Sequence, residues 1–141
     1  MAKAAVIYWS GTGNTEAMAN AVVDGMKSNG AEVSVFTPAE IDYSAVRSCS
    51  AVALGCPAMG AEVLEETEFQ PMFDELRSQL SGKKVALFGS YGWGDGEWMR
   101  SWEADCQDAG INLAAESVMA NNAPDEDAIK RCQALGAAIT A

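Results

Sequence analysis

The sequence predicts an α/β fold, a three-layer doubly wound structure in which a five-stranded parallel sheet lies between two layers of helices. Two observations predict it. Short apolar runs alternate with segments of helical periodicity along the whole chain. The 141 residues also suit one domain, residues 1–141, because no repeat, low-complexity tract or linker divides them and a chain of this length buries a substantial core.

The first half of the chain supplies three strands and one clear helix. An almost wholly apolar run at 4–9 is typical of a strand buried on both faces. Apolar residues then recur at helical spacing over 14–29, and Gly30 follows as a stop signal. Between the next two strands, residues 37–50 carry the weakest pattern, where we expect a poorly formed helix or a long connection. The two strands are predicted at 32–36 and 51–55.

The second half repeats the alternation. Apolar residues at helical spacing predict three helices, at 69–80, 98–109 and 129–139. The last of these follows an acidic run at 125–127, which suits the positive end of a helix dipole. Trp98 and Trp102 lie on one helical stripe, so we expect them in the core. The remaining strands are predicted at 84–89 and 111–119.

The charge balance excludes several functions. Nine Lys and Arg against 20 Asp and Glu give a net charge of −11. Such a chain repels nucleic acid and anionic membranes and attracts basic protein surfaces. The chain has no histidine, so nucleophiles activated by imidazole and zinc sites built on histidine are excluded. We therefore predict no catalytic residue and no metal site, and we expect any chemistry to come from a bound cofactor.

Cysteine usage and hydropathy indicate a cytoplasmic protein. The four cysteines show no CxxC pair, which indicates reduced, mostly buried thiols in a reducing compartment. The apolar run near the amino terminus is too short for a signal peptide, and no stretch approaches the length of a membrane span.

The loop after the first strand has the composition of a phosphate cradle. In doubly wound sheets, ligands bind at the carboxyl ends of the strands. Two glycines allow the backbone to curl around a small group, while hydroxyls, an amide and the N–H groups of a helix start supply neutral donors. An ordinary capped turn is the alternative. The P-loop and dinucleotide fingerprints are both absent, because no Gly-Lys pair follows and Glu16 replaces the third glycine. The loop residues are Ser10, Gly11, Thr12, Gly13, Asn14 and Thr15.

Two further loops predict the walls of a site. In the loop 56–62, Gly60 permits a positive φ and a peptide flip, and Met59 is apolar at a loop tip. Trp93 lies between two glycines, and an indole displayed on such a loop is costly unless it stacks on a partner. A solvated loop is the alternative for 56–62, where Glu62 begins a cluster of acids. A phosphorylated, planar aromatic ligand fits all three loops, and FMN is such a ligand.

The sequence resembles the short-chain flavodoxins of fermentative anaerobic bacteria from the first strand to the last helix. The resemblance implies a flavodoxin-like sheet of order 2-1-3-4-5 that binds one FMN without a covalent bond. It further implies a low-potential, one-electron carrier that is not an enzyme and works through a stabilised neutral semiquinone. The chain lacks room for the extra segment that interrupts strand five in long-chain relatives. The densest runs are YWSGTGNTE at 8–16, LGCPAMG at 54–60 and VALFGSYGWG at 85–94.

The resemblance also assigns roles to individual residues. Met59 covers one flavin face and Trp93 the other, and Glu62 accepts from the flavin N3–H. The peptide at Gly60 flips on reduction, so that its carbonyl meets the N5–H of the semiquinone. Asn122 lies near the ribityl chain or the ring edge. The phosphate is held by Ser10, Thr12, Asn14 and Thr15, by the backbone of Gly11 and Gly13, and by an added hydroxyl from Ser90. The cofactor-binding set also includes Ala58, Tyr91 and Gly92.

Two positions depart from the family pattern. Relatives often carry an acid or a hydroxyl after the turn glycine, and here the residue is Ala61, which removes one local hydrogen-bonding option. Some relatives have serine at the position of Pro57, so a side-chain contact from that position is in doubt.

Two other classes of protein compete with the carrier. A receiver-type signalling domain shares the sheet order but needs acids after strands one and three, where Ser10-Gly11 and Cys56-Pro57 stand. An FMN-dependent NAD(P)H quinone or nitro reductase of the same fold needs a substrate pocket over the flavin. Stacking of Trp93 and Met59 on both flavin faces leaves no room for one. We therefore expect a monomeric, cytoplasmic electron carrier that docks transiently on basic surfaces of redox enzymes.

Overall fold

The computed structural model describes residues 2–59, 63–92 and 94–141, and the main elements follow the predicted alternation. The helices are α1 (Asn14–Ser28), α2 (Tyr43–Arg47), α3 (Phe69–Leu76), α4 (Glu97–Asp108) and α5 (Glu126–Ile139). The strands are β1 (Lys3–Tyr8), β2 (Glu32–Phe36), β3 (Ala51–Gly55), β4 (Lys84–Tyr91), β5 (Asn112–Leu113) and β6 (Val118–Asn121).

The sheet is parallel, with the order β2-β1-β3-β4-β5, and β6 also pairs with β4. This order confirms the predicted doubly wound fold. The central strands β1, β3 and β4 are buried along nearly their whole length, since helices cover both faces. Their small and β-branched residues fit that position. The carboxyl ends of β1, β3, β4 and β6 therefore meet at one edge of the sheet.

The fifth strand differs from its prediction. The sequence predicts one strand over 111–119, but the structure divides it into β5 and β6. Leu113 pairs with Val85 and Val118 pairs with Phe88, so residues 114–117 face only two residues of β4. Two extra residues must therefore leave the ladder. Within this segment, the Ser117 hydroxyl donates to Oε2 of Glu103 in α4, at 2.7 Å.

The segment 37–50 confirms the expectation of a poorly formed helix. It contains a 3₁₀ turn at Pro38–Glu40 and the five-residue helix α2. Asp42 caps α2, because its carboxylate accepts the backbone N–H groups of Ser44 and Ala45 at 3.0 and 3.3 Å.

Two hydrophobic cores lie on opposite faces of the sheet. The core beneath α3 and α4 contains Trp98 and Trp102, each 1% exposed, which confirms their predicted structural place. Trp102 meets the rings of Phe69 and Phe73 edge-on, with centroids 5.4 and 6.0 Å apart. The second core lies beneath α1 and α5 and includes Cys132. All four cysteines are buried and unpaired, as expected.

The helices α1 and α5 touch through their backbones. A Cβ atom added at Gly25 would lie 1.9 Å from the carbonyl oxygen of Gln133, and one added at Gly136 would lie 2.2 Å from the carbonyl oxygen of Val22. Each glycine thus admits the backbone of the partner helix. The contact lies in the second half of both helices and packs them against each other on one face of the sheet. Among the described residues, no helix combines the length and hydropathy needed to cross a bilayer.

Candidate cofactor-binding site

A cleft of about 230 Å³ lies at the carboxyl ends of β1, β3, β4 and β6. None of the residues that line its described part carries a charged side chain. Two lining residues, Trp9 and Pro57, are not in the predicted cofactor-binding set. The predicted residues that line it are Gly11, Thr12, Asn14, Ala58, Met59, Ser90, Tyr91, Gly92 and Asn122.

A larger groove, of about 340 Å³, lies elsewhere, between residues 115–118 and α5. It borders the start of β6 rather than the end of a strand, and its described lining contains no glycine. Because ligands of doubly wound sheets bind at the carboxyl ends of strands, the smaller cleft is the candidate site.

The loop 10–15 is organised by Ser10 and Gly13. Gly13 is the N-cap of α1 with a φ of 95°, a conformation that favours glycine. The Oγ atom of Ser10 accepts the backbone N–H groups of Gly13 and Glu16 at 3.1 and 3.3 Å. Its oxygen thus holds the curl of the loop, while its O–H proton remains the group that can donate to a ligand.

A pair of buried hydroxyls joins this loop to β4. Thr15 is 1% exposed and Ser90 is 4% exposed, and their Oγ atoms lie 3.0 Å apart. Ser90 borders the cleft, whereas Thr15 lies behind the lining. One hydroxyl donates to the other, so the proton of the second is left to point elsewhere. Ser10, Gly13 and Thr15 are thus parts of the loop's support rather than of the described cleft wall.

The donors at this end of the cleft fit a phosphate group. The 15-residue helix α1 starts here, and the first N–H groups of a helix have no partner within the helix. Together with the hydroxyl of Thr12 and the amide of Asn14, they give a set of neutral donors reinforced by the helix dipole. Lysine and arginine are absent from the described lining, so an anion here would be held without a cationic side chain.

The loop after β3 stays paired with β4 and then turns back on itself. The N–H of Ala58 donates to the carbonyl of Ser90 at 2.9 Å. Met59 and Val63 exchange two backbone hydrogen bonds, of 2.9 and 3.2 Å, in an antiparallel bridge. This bridge brings together the residues on either side of the predicted turn at Gly60. Gly60 and Glu62 themselves lie outside the described residues.

Cys56 is fixed at the start of this loop by three contacts. Its Sγ atom accepts the N–H of Glu65 at 3.4 Å, and its carbonyl accepts the indole N–H of Trp98 at 3.1 Å. A Cβ atom at Gly89 would lie 2.2 Å from that carbonyl oxygen, so only glycine allows β4 to approach so closely. Burial raises the pKa of the Cys56 thiol to about 12, because its effect outweighs that of the hydrogen bond from Glu65, which lowers the pKa. The thiol is therefore protonated at neutral pH.

Glu65 is a residue that the sequence does not reveal. It belongs to the acidic cluster and reads as solvated, yet it is 5% exposed. Its carboxylate accepts the N–H groups of Thr67, Glu68 and Phe69 at 2.9, 2.7 and 2.8 Å, and also the Thr67 hydroxyl. Burial alone would raise the pKa of Glu65, but these hydrogen bonds outweigh it and lower the pKa to about 2. The charged carboxylate thus caps the first turn of α3.

Trp9 is a second such residue, since the sequence reads it only as the last residue of a strand. It is half-buried and lines the cleft. Its indole N–H donates to Oε1 of Glu68 at 3.1 Å. A Cβ atom at Gly11 would lie 3.1 Å from the indole, so the ring lies close against the backbone of the loop.

The third wall combines Tyr91, Gly92 and Asn122. The Tyr91 ring lies 5.5 Å from that of Trp98, and the Asn122 N–H donates to the Tyr91 carbonyl at 2.7 Å. Among the described residues other than glycine, Asn122 alone has a positive φ, of 58°. Strained backbone of this kind is concentrated at functional sites. Trp93, which was predicted for this wall, lies outside the described residues.

The fold is doubly wound, and the described cleft places uncharged hydrogen-bond donors for a phosphate beside apolar and aromatic walls. The model of the flavodoxin family matches residues 6–136. A flavodoxin from Clostridium beijerinckii is 45% identical over 121 residues, which cover 86% of this chain and 88% of the relative. A flavodoxin from Megasphaera elsdenii is 46% identical over 136 residues, which cover 94% and 95%.

A solved structure agrees with these relatives. The solution structure of two-electron reduced Megasphaera elsdenii flavodoxin superposes with a TM-score of 0.89, at 43% identity, and covers 97% of this chain and 98% of that one. The chain therefore belongs to the flavodoxin family, and it is a short-chain member. FMN is its cofactor, and it is an electron-transfer protein rather than an enzyme. The reductase of the same fold is not favoured.

Proposed function

We propose that this chain is a low-potential, one-electron carrier that holds FMN in the cleft at the carboxyl ends of the strands. The observation that carries the proposal is the cleft itself, with neutral donors at one end and apolar and aromatic walls at the other. When bound, FMN supplies the redox chemistry, and the protein sets the relative stability of its oxidation states.

The phosphate end of the cofactor is assigned to the loop 10–15. Thr12 and Asn14 offer side-chain donors in the lining, and the backbone of Gly11 offers an N–H group. Gly13, whose N–H donates to Ser10, contributes the left-handed turn that curls the loop. Ser10 contributes its hydroxyl proton while it supports the loop, and the hydrogen-bonded pair of Thr15 and Ser90 leaves one further hydroxyl proton for the ligand. This assignment is supported by the start of α1 at the same place, since its dipole favours an anion.

The ring end of the cofactor is assigned to Met59 and Trp93, one on each face, with Glu62 accepting from N3–H. Ala58, Tyr91, Gly92 and Asn122 complete the walls. The bridge between Met59 and Val63 supports a peptide flip at Gly60. It holds together the described residues on either side of Gly60, so the proposed flip between them does not require β3 to move. A carbonyl turned toward N5–H would stabilise the neutral semiquinone.

A low second potential follows from the charges around the cleft. The described lining has no cation, and the carboxylate of Glu68 accepts a hydrogen bond from the indole N–H of Trp9, which lines the cleft. A second electron makes the flavin anionic, and nearby negative charge with few cations disfavours that form.

The partners proposed are basic surfaces of redox enzymes. Near the carboxyl ends of the strands, three cations are paired with acids, at 3.0, 3.6 and 2.9 Å: Arg100 with Asp95, Lys130 with Glu126, and Arg131 with Asp127. Lys3, Lys83 and Lys84 lie at the amino ends of the strands instead. Since these cations are neutralised and the chain carries a net charge of −11, we expect a negative surface around the cleft, and transfer rates to a partner should fall as salt rises. We propose that the carrier acts as a cytoplasmic monomer of one domain.

Stepwise reduction of the FMN-loaded protein under anaerobic conditions tests the proposal. We expect a long-wavelength, blue-coloured one-electron state to accumulate before full reduction, with the second step at low potential. Direct passage from oxidised to fully reduced flavin would overturn the one-electron carrier. Failure of the protein to bind FMN at all would overturn the assignment of the cleft.

A further inference from the structure

Trp9 is anchored from outside the cleft that it lines. Its backbone N–H continues the sheet, donating to the Gly55 carbonyl at 3.0 Å. Its indole N–H reaches Glu68, 59 residues away in sequence, at 3.1 Å. One side chain therefore connects the end of β1 to the segment before α3.

Glu68 is held in place by Glu65. The backbone N–H of Glu68 donates to Oε1 of Glu65 at 2.7 Å, and the same oxygen accepts the N–H of Phe69 at 2.8 Å. Glu65 is almost fully buried, so its carboxylate is a fixed point. Because the backbone of Glu68 is already ordered, less conformational entropy is lost when its side chain meets the indole.

The other side of the Trp9 ring reaches the phosphate-side loop. A Cβ atom at Gly11 would lie 3.1 and 3.2 Å from two carbons of the indole, Cη2 and Cζ3. The indole thus lies against the backbone of Gly11, which itself lines the cleft. Contacts run without a break from Glu65 through Glu68 and Trp9 to Gly11.

We propose that the hydrogen-bonded pair of Trp9 and Glu68, here called the strap, positions the loop 10–15 for the phosphate of the cofactor. The inference rests on the proposed function, because it needs FMN in this cleft. The strap acts on the phosphate end, so its loss weakens binding of FMN more than binding of riboflavin, which has no phosphate. Trp9 and Glu68 are then positioning residues for this discrimination.

The test compares the affinities of the FMN-depleted protein for FMN and riboflavin, measured by quenching of flavin fluorescence. Trp9→Phe keeps an aromatic ring but removes the donor, and Glu68→Leu removes the acceptor. Each should lower the preference for FMN over riboflavin about fivefold, the effect of an exposed, charge-assisted hydrogen bond. The double variant should lose no more than either single variant. Glu68→Gln keeps an amide oxygen and should retain most of the preference.

Glu66→Leu is the matched control, since it removes the same charge from an exposed residue of the same segment. Loss of a negative charge by itself favours an anionic phosphate, so Glu66→Leu should bind FMN as tightly as the parent or more tightly. Weaker FMN binding in Glu68→Leu would run against that electrostatic effect. A loss in Glu66→Leu as large as in Glu68→Leu would overturn the strap.

A second readout needs no cofactor. In NMR spectra, the indole N–H signal of Trp9 is identified by its disappearance in Trp9→Phe. The exchange rate of this proton with solvent should rise in Glu68→Leu and stay the same in Glu66→Leu. An unchanged preference for FMN in both Trp9→Phe and Glu68→Leu would overturn the inference and leave the proposed function standing. If the parent protein bound no FMN, the proposed function would fail first, and that result is distinguishable from the others.

Discussion

The backbone N–H of Glu65 donates to the buried sulfur of Cys56 at 3.4 Å. This contact joins the segment before α3 to the residue that follows β3, at the start of the loop 56–62. The Cys56 sulfur accepts this hydrogen bond, and the backbone carbonyl of Cys56 accepts another from the indole N–H of Trp98. Cys56 therefore serves as a support for the loop.

Cys56 should be chemically inert in the folded protein. Burial raises the pKa of its thiol to about 12, and the thiolate is the reactive form. We expect no labelling by N-ethylmaleimide at pH 8 in the folded state and complete labelling in urea, as read by peptide mass spectrometry. Cys106 and Cys132, whose pKa values burial also raises to about 12, are internal comparisons. Rapid modification of Cys56 in the folded protein would contradict this account.

Glu65 should contribute stability that depends on pH. Burial opposes the charged form, but hydrogen bonds from Thr67, Phe69 and Glu68 prevail and lower the pKa from 4.5 to about 2. A lowered pKa stabilises the fold above the unfolded-state value, and this stability is lost as the pH falls from about 4.5 toward 2. The difference corresponds to about 3 kcal/mol, an order-of-magnitude value for a buried group.

Glu65→Gln is thus expected to lower the free energy of unfolding by about 2–3 kcal/mol at pH 7, and by far less at pH 2. Urea titrations of the FMN-depleted protein at several pH values measure the free energy of unfolding, with Glu66→Gln as the exposed control. A gap between parent and Glu65→Gln that stayed constant from pH 7 to pH 2 would show that the charge is not what stabilises the cap.

The backbone contact between α1 and α5 predicts a large cost for a single methyl group. Gly136→Ala would place a carbon 2.2 Å from the Val22 carbonyl oxygen, so the two helices must move apart. We expect a loss of about 3 kcal/mol or more in thermal or urea unfolding. Ala138→Ser, on the exposed side of α5, should change stability by less than about 0.5 kcal/mol. Equal stability of the two variants would mean that the helices are not in contact.

Gly60→Pro should diminish the neutral semiquinone. Proline fixes φ near −65°, so the variant residue cannot adopt the positive φ predicted for Gly60. A tenfold loss of stabilisation lowers the first potential by about 59 mV. Stepwise reduction followed by absorption spectroscopy measures both quantities. An unchanged yield of the blue form would remove the peptide flip from the mechanism.

The sequence predicts those parts of the fold whose signals are local. The strands 32–36 and 51–55 have the predicted bounds, because the first alternates polar and apolar residues and the second is a short, continuous apolar run. The split of the fifth strand is not local. Whether residues 114–117 stay in the ladder depends on the register with β4, which an amino-acid pattern does not contain.

The same distinction applies to the site. The glycines and hydroxyls of the loop 10–15 carry their chemistry in their residue types, so the loop could be proposed from sequence. The role of Glu65 could not be proposed from sequence, because the three backbone N–H groups that hold its carboxylate converge only once α3 has formed. Trp9 likewise reads as part of a strand, and its acceptor lies 59 residues away.

The split between β5 and β6 gives this protein a natural grafting point. Residues 114–117 span only two residues of β4, so two of them already lie outside the ladder, and pairing with β4 resumes at Val118. Extra residues inserted there lengthen an existing excursion, at a small entropic cost that grows only slowly with length. A tether to an electrode or a fused partner attached at this position would leave the register of both flanking strands, and thus the cofactor edge of the sheet, as it is.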